Sequence, residues 1–278
     1  MEENTLCSNN KYLEEVISDE LSKKDPDHTG KAREFYAKFW HGSLSNYDGA
    51  IGNYRGDTII SFNTVAGWMI CMLPIFKGDF KLPKTAKKRL KTILEADDED
   101  VCNSIKENFM SFHKIYHALA NFMPVINEKW GQKPIVNLNQ AKGLNPRYRD
   151  FPDLFFKDVK DFYMKDYGIL EFPIFKNGMN KNYFKEFGCS SVGWKEYIEA
   201  NYLQDFFTDD SYMQCVQIAP DGIKVKMPPS KYGSYFAKML KEDREIYKNY
   251  IANFLTIAIS IIEKRAKRLL YEEQSQQP

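Results

Sequence analysis

The sequence predicts a mainly α-helical globular domain with one or two small β hairpins and a long C-terminal core helix. Three observations predict this class. Apolar residues recur at helical spacing in most of the chain, hydrophobic residues make up 43% of it, and charged residues make up 28%, values typical of folded globular proteins. We find no internal repeat or low-complexity linker, so residues 1–278 are expected to form a single domain with frayed ends at 1–10 and 272–278.

The N-terminal half alternates between helical and irregular patterns. Helices are predicted over Tyr12–Lys23 and Lys31–Trp40, because their apolar residues fall on one side of a helix. The glycine-rich stretch from Asn46 to Gly67 indicates a loop with a short strand or hairpin around Thr58–Phe62, since that segment is β-branched. The apolar segment Trp68–Phe76 fits a buried strand or a buried helix equally well.

Further helices are predicted on both sides of a long loop. Lys84–Leu94 has a basic outer face, and Val101–Leu119 carries a buried stripe of Ile105, Phe109, Phe112 and Tyr116. Residues 123–146 are rich in Asn, Gly and Pro, which indicates a long ordered loop or a short hairpin. A strand or hairpin is also predicted at Cys215–Met227, and helices are predicted at Asp150–Tyr167, Lys181–Phe187, Val192–Phe207 and Lys231–Leu270.

Composition limits the classes of partner and compartment. The chain has 39 Lys and Arg against 38 Asp and Glu, a net charge of +1, whereas dedicated nucleic-acid modules carry a marked basic excess. Five cysteines without a CxxC spacing are typical of reduced, buried thiols. The N-terminus lacks a signal peptide pattern, and no apolar run approaches the roughly 20 residues that span a bilayer. We therefore expect a cytoplasmic protein with no membrane partner, while nucleic acid is not supported by the net charge.

The many aromatic residues have two interpretations. Phe, Tyr and Trp together make up 15% of the chain. They predict an aromatic-rich core, and the alternative is a set of stacking platforms for bases or other ligands.

Two charged runs also have a structural and a functional interpretation. The run Asp97–Asp100 could hold a metal, but carboxylates at this place are more typical of the N-terminus of the following helix. The run Lys264–Arg268 could contact nucleic acid, but cations there would favourably oppose the C-terminal dipole of the long helix.

The main candidate site lies between residues 113 and 153. His113 and His117 are four residues apart on a predicted helix, so both imidazoles face one way, a spacing suited to two metal ligands. The glutamate of a zinc protease motif is absent, because Lys114 follows His113. The alternative is a histidine that ends the helix by bonding to backbone carbonyls. The other polar candidates for binding are Asn121, Asn137, Asn139, Arg147 and Asp150.

The same segment resembles a bacterial protein family classed as a domain of unknown function. The string His117-Ala-Leu-Ala-Asn-Phe-Met-Pro124, the later Asn137-Leu-Asn139 and the run from Phe151 carry this resemblance. Upstream, Asp25-Pro-Asp27 followed by Arg33, Tyr36 and Trp40 is similar to the family's opening. The resemblance covers residues 25–165 in patches and implies no established activity.

A fainter resemblance is to HNH-type nuclease domains of bacterial restriction systems. It implies that His117 and Asn121 match a string beside a catalytic histidine and a divalent metal, with Asn137 or Asn139 as the later asparagine. The general-base histidine of that fold lies upstream, and neither His28 nor His41 has the acidic setting it needs. An active nuclease would therefore lack a base that activates water.

Three functional hypotheses remain open. The first is a bacterial or phage-borne binding or interaction protein, with phage defence or another mobile-element system as its context. The second is a metal-dependent nuclease or hydrolase centred on His117, in which Asp150 or Asp153 supplies a carboxylate; a divalent metal would be its only cofactor. The third is a structural role, in which the motif around His117 joins the helix end to the long loop.

Overall fold

The computed structural model describes residues 10–14, 16, 29–40, 55–72, 83, 85–97, 101–125, 156, 159–160, 162–164, 190–207 and 241–276. These residues are mainly helical, which confirms the predicted fold class. Two predicted segments, Lys181–Phe187 and Cys215–Met227, lie wholly outside the described residues, and so does the predicted loop at 123–146 after Val125.

The first helix, α1, spans Gly30–Trp40 and confirms the predicted Lys31–Trp40 helix. The Thr29 hydroxyl accepts a hydrogen bond from the Ala32 N–H at 3.3 Å, which satisfies a free donor in the first turn. The aromatic residues of α1 are buried and pack edge-on or tilted against one another. Upstream, Tyr12 lies in a turn rather than in the first turn of a helix, and residues 17–28 are outside the described part.

A two-stranded antiparallel sheet joins distant parts of the chain. Strand β1 (Arg55–Thr58) pairs with β2 (Phe122–Val125), with Thr58 opposite Phe122. The predicted strand at Thr58–Phe62 is therefore wrong beyond its first residue, because Phe62 begins a helix. The sheet also differs from a local hairpin, since its partner strand is about 60 residues away, a pairing that local pattern cannot reveal.

In the described part of the chain, three α-helices lie between the two strands. Helix α2 (Phe62–Met72) shows that the described part of Trp68–Phe76 is helical. Helix α3 (Ala86–Leu94) packs against α2, and both contact α4 (Asn103–Ile115). The predicted stripe of α4 is confirmed, because all four of its residues are buried: Ile105, Phe109, Phe112 and Tyr116.

Helix α4 is shorter than the predicted Val101–Leu119. It ends at Ile115, and a turn leads into a 3₁₀ helix at Leu119–Asn121. At its start, the N-cap residue Cys102 makes no side-chain capping bond. Residues 98–100 lie outside the described part, so the capping role of the acidic run stays a prediction.

The C-terminal half contributes helix α5, spanning Ser190–Ala200, a 3₁₀ helix at Gln204–Phe206 and the long helix α6, spanning Lys241–Ser275. The described residues between 156 and 164 are also helical, as predicted. Helix α6 packs against α4, α2 and both 3₁₀ helices, so it runs along the core as expected. None of the described helices combines the length and apolarity that crossing a membrane requires.

The core is a single cluster rich in aromatic residues. Its largest fully buried apolar side chains come from α1, α2, α4, β2, α5 and the described helical residues between 156 and 163: Trp40, Tyr36, Tyr163, Tyr197, Phe62, Phe109, Phe112, Phe122, Phe156 and Phe162. Such rings remove large apolar areas from water and gain from edge-to-face contacts. The aromatic-core interpretation of the composition is confirmed for these residues.

Candidate functional site

The two candidate histidines lie at the end of α4, and both are partly exposed. His113 is in the last turn of α4, with its ring centroid 5.1 Å from that of Phe62 and 5.4 Å from that of Tyr116. His117 follows the helix, and its ring lies 3.9 Å from the Tyr116 ring. Since Tyr116 is almost buried, the two imidazoles flank a ring that belongs to the core. We call His113, Tyr116 and His117 the ring ladder.

Asn121 has a structural role that the sequence did not reveal. Its side chain is fully buried. Its amide nitrogen donates to the carbonyls of Ile60 at 2.9 Å and Tyr116 at 2.7 Å, while its amide oxygen accepts the Ile60 N–H at 3.0 Å. The Ile59 N–H donates to the Asn121 carbonyl at 2.7 Å. Asn121 therefore extends the β1–β2 pairing by one residue and caps the end of α4.

These bonds change the interpretation of the motif. Each polar atom of the Asn121 side chain has a protein partner, and the side chain is fully buried. Asn121 therefore supports the ring ladder from the core side. Within the described residues, Asn121 joins the end of α4 to Ile60 and Tyr116, while the predicted joint to the long loop lies outside them and stays a prediction. The backbone of His117 adds a second tie, because its carbonyl accepts the Val16 N–H at 3.1 Å.

The remaining predicted site residues lie outside the described part of the chain: Asn137, Asn139, Arg147, Asp150 and Asp153. Their convergence on His117 stays a prediction. Within the described ranges, no group of three His, Cys, Asp or Glu side chains is arranged to hold a metal ion. The metal interpretation of His113 and His117 also stays a prediction.

The dominant polar feature of the described core is Arg265, a residue of α6 with 0% exposure. Its guanidinium donates to four backbone carbonyls: Ala120 at 2.7 Å, Phe122 at 2.8 Å, Tyr202 at 2.8 Å and Asn201 at 3.1 Å. We call these four acceptors the carbonyl cage. Burial lowers the pKa of Arg265 to about 9, which leaves it charged at neutral pH.

The carbonyl cage fixes the geometry behind the ring ladder. Two of its carbonyls flank Asn121 in the chain, and the other two belong to the turn after α5. In that turn Tyr202 adopts a φ of 52°, a left-handed conformation that is unusual for a tyrosine. Asn201 extends the network, since its side-chain oxygen accepts the Trp40 indole N–H at 3.2 Å. Through the hydrogen bonds of its charged guanidinium, Arg265 therefore links α6 to the turn after α5 and to the start of β2.

The dipole interpretation of the basic run Lys264–Arg268 is wrong. Helix α6 continues to Ser275, so the run lies about two turns inside the helix rather than at its end. Arg265 points into the core, and Arg268 forms a bidentate ion pair with Asp205, with N–O distances of 2.9 and 3.1 Å. The sequence signal for the buried role of Arg265 was its position among apolar residues at helical spacing. The predicted end of the helix at Leu270 favoured the dipole interpretation instead, because it placed the basic run in the last turns.

A buried carboxylate, Glu273, lies near the C-terminal end of α6, which is helical to Ser275. Glu273 is 8% exposed and accepts hydrogen bonds from Lys11, Lys38 and the Tyr12 hydroxyl, the last at 2.8 Å. Burial alone would raise the pKa of Glu273, but these three donors outweigh it and lower the pKa to about 2. Burial and the bond to Glu273 raise the pKa of Tyr12. The cluster joins the N-terminal segment, α1 and α6.

Cys102 differs from the expected buried thiols, because it is exposed and free at the N-terminus of α4. A hydrogen bond with Ser104 at 3.2 Å and the backbone N–H of Ile105 lower the pKa of its thiol. A lowered pKa makes a cysteine more nucleophilic at neutral pH.

The sequence was compared with known protein families. The profile of a family of unknown function, DUF6994, matches residues 80–269. The chain belongs to the DUF6994 family. The predicted membership of a family of unknown function is therefore confirmed.

The DUF6994 match contains the ring ladder, Asn121, Arg265 and the whole carbonyl cage, whereas Glu273 and its partners lie outside it. The upstream part of the predicted resemblance, at Asp25-Pro-Asp27, also lies outside it. Comparison with curated proteins and with solved structures found no match to this DUF6994 chain. The likeness to HNH-type nucleases stays a hypothesis.

Proposed function

We propose that this DUF6994 protein is a binding protein without chemistry of its own, and that the ring ladder forms its recognition surface. One observation carries the proposal: two partly exposed imidazoles lie against a rigid, buried support. Sites held on fixed secondary structure and backed by committed hydrogen bonds are typical of preorganised recognition.

The support behind the ring ladder is built from polar groups with structural partners. Asn121 bonds to the backbone of Ile60 and Tyr116, and Arg265 bonds to the carbonyl cage around it. These groups hold the scaffold, and the partly exposed imidazoles of His113 and His117 lie at its edge. A neutral imidazole offers one donor and one acceptor, and its ring can stack on a partner.

Two measurements test the proposal. Purified protein is incubated with plasmid DNA and with RNA in Mg²⁺, Mn²⁺ or Zn²⁺, beside His117→Ala. We expect no cleavage above that of the variant in any metal. Cleavage that His117→Ala abolishes would instead establish the nuclease hypothesis and end the proposal.

The second measurement is comparative capture from cell extract. Wild-type protein, the double variant His113→Ala/His117→Ala and the control Lys114→Ala are immobilised, and bound species are quantified by mass spectrometry. Lys114 is exposed on the same turn of α4, so it controls for a general surface change. We expect at least one species that wild type and Lys114→Ala retain and the double variant loses. Identical binding by all three proteins would contradict the assignment of the ring ladder.

A further inference from the structure

Positive charge is concentrated in residues 77–91, and an acidic stretch at residues 95–100 separates them from α4. Residues 77–91 contain seven Lys or Arg residues and one acidic residue, although the net charge of the chain is only +1. The second half of this segment forms α3. The near-neutral total therefore hides a strongly basic segment of the sequence, of which residues 83 and 85–91 are described.

Helix α3 turns three lysines toward solvent. Its apolar residues Ala86 and Ile93 are buried, and the helix packs against α2 and α4. Lys87, Lys88 and Lys91 are exposed, and we call these three residues the basic face. Lys87 and Lys91 are four residues apart, so they lie about 6 Å apart along the axis on the same side of the helix.

Acidic residues follow the basic face along the chain, but among the described residues only Glu95 forms an ion pair with it. Lys91 lies 3.5 Å from Glu95, but their side chains are 71% and 65% exposed, so solvent and salt weaken this pair. Among the described residues, Lys87 and Lys88 form no ion pair. No acidic residue occupies the first turn of α3, where the helix dipole is positive. Lys87 and Lys88 lie at this end and reduce helix stability, whereas Lys91 lies in the last turn, where a cation is favourable. A locally unfavourable arrangement such as that of Lys87 and Lys88 is typical of functional surfaces.

We propose that the basic face binds the phosphate backbone of nucleic acid, without reading bases. Lysine ammonium groups are mobile point charges with three donors each, which suits contact with successive phosphates. The proposal concerns a different surface from the ring ladder and does not depend on it. A helix face that supplies charge but no planar, bidentate donor is expected to position the nucleic-acid backbone rather than to select a base sequence.

Two other classes of partner fit the basic face less well. The centre of a protein interface is depleted in lysine and enriched in aromatic residues, and the exposed large apolar residues of the described chain lie elsewhere, for example Met110 and Tyr271. Insertion into a lipid surface needs an exposed apolar helix face, whereas that of α3 is covered by α2 and α4.

The test measures binding of the intact chain to fluorescein-labelled single-stranded and duplex DNA by anisotropy, over a range of salt concentrations. The variant is Lys87→Gln/Lys88→Gln/Lys91→Gln. Loss of three phosphate contacts is expected to reduce the slope of log affinity against log salt by about 2 on single strands and by about 3 on duplex. If both proteins converge near 1 M salt, the variant binds single strands about 100-fold more weakly at about 0.1 M salt.

A matched control removes the same charge elsewhere, through Lys114→Gln/Lys264→Gln/Lys267→Gln, three exposed lysines on α4 and α6. We expect this control to keep most of the affinity and slope. An equal loss in the control would mean that only total charge matters, and it would overturn the proposal. Absence of salt-dependent binding by the wild type would overturn it too.

Competition identifies the class of partner. Polyglutamate and phosphatidylserine vesicles are added at the same total charge as the DNA. Stronger binding to either of them would assign the basic face to an acidic protein or a lipid surface and overturn the proposal. Thermal unfolding followed by circular dichroism should give the variant a midpoint no lower than that of the wild type. If it does not fold, Lys88→Gln alone should reduce the slope by about 0.7 to 0.9.

Discussion

Replacement of Arg265 by methionine is the sharpest test of how this fold is held together. The substitution keeps an unbranched apolar stem but removes the guanidinium, and the four carbonyls of the carbonyl cage lose their donors. Because Arg265 is fully buried, water cannot replace those bonds without opening the core.

The expected loss is the difference between two large opposing effects. Four hydrogen bonds from a charged donor contribute roughly 6 to 12 kcal/mol, at about 1.5 to 3 kcal/mol each. Burial of the charge opposes this gain, as the lowered pKa of Arg265, about 9, indicates. We therefore expect Arg265→Met to lower the free energy of unfolding by about 3 to 5 kcal/mol, as when one partner of a buried charged pair is removed.

The assay is urea denaturation followed by far-ultraviolet circular dichroism and tryptophan fluorescence. Fluorescence is informative because the guanidinium carbon of Arg265 lies 6.0 Å from the Trp40 ring centroid. Arg265→Lys should lose about half as much, since an ammonium group reaches fewer of the four carbonyls. Arg268→Met, which removes a partly exposed ion pair on the same helix, should lose about 1 kcal/mol. A loss below about 1 kcal/mol for Arg265→Met would refute the reasoning.

Three further predictions follow from other described residues. Asn121→Ala should lower the free energy of unfolding by about 2 to 4 kcal/mol in urea denaturation, because buried backbone partners lose their bonds. Glu273→Gln should cost about 1 to 3 kcal/mol at neutral pH. Because the folded pKa of Glu273, about 2, lies below its ordinary value of 4.5, this difference is fully present above pH 4.5 and disappears as the pH falls toward 2. Cys102 should react with iodoacetamide faster than an unperturbed thiol at neutral pH, as measured by intact-protein mass spectrometry.

Each of these predictions has a control in the described chain. Asn108→Ala removes an exposed bond to Thr256 and should change stability by less than about 0.5 kcal/mol. Glu107→Gln removes an exposed charge from α4. As the pH falls, the free energy of unfolding of this variant should decrease as much as that of the wild type. Ser104→Ala removes the side-chain partner of Cys102 and should slow its alkylation. An Asn121→Ala protein as stable as Asn108→Ala would show that the buried amide is dispensable.

The predictable part of the candidate site is its position on the helix, and the rest depends on contacts between distant segments. The spacing of His113 and His117 places them on one helix end. Their support could not be predicted, because Asn121 bonds to Ile60, a residue 61 positions away. The same limit applies to Arg265, whose partners at Ala120 and Phe122 lie more than 140 positions away.

What the sequence alone determined is the helical class and the buried faces of α1, α3 and α4, because those depend on the period of apolar residues along the chain. The tertiary structure decided which polar residues became structural: a buried asparagine, a caged arginine and the carboxylate at the end of α6. The physical reason is that a polar side chain becomes structural only when folding removes water from it and supplies other partners. Those partners come from other segments, so composition and spacing do not encode them locally.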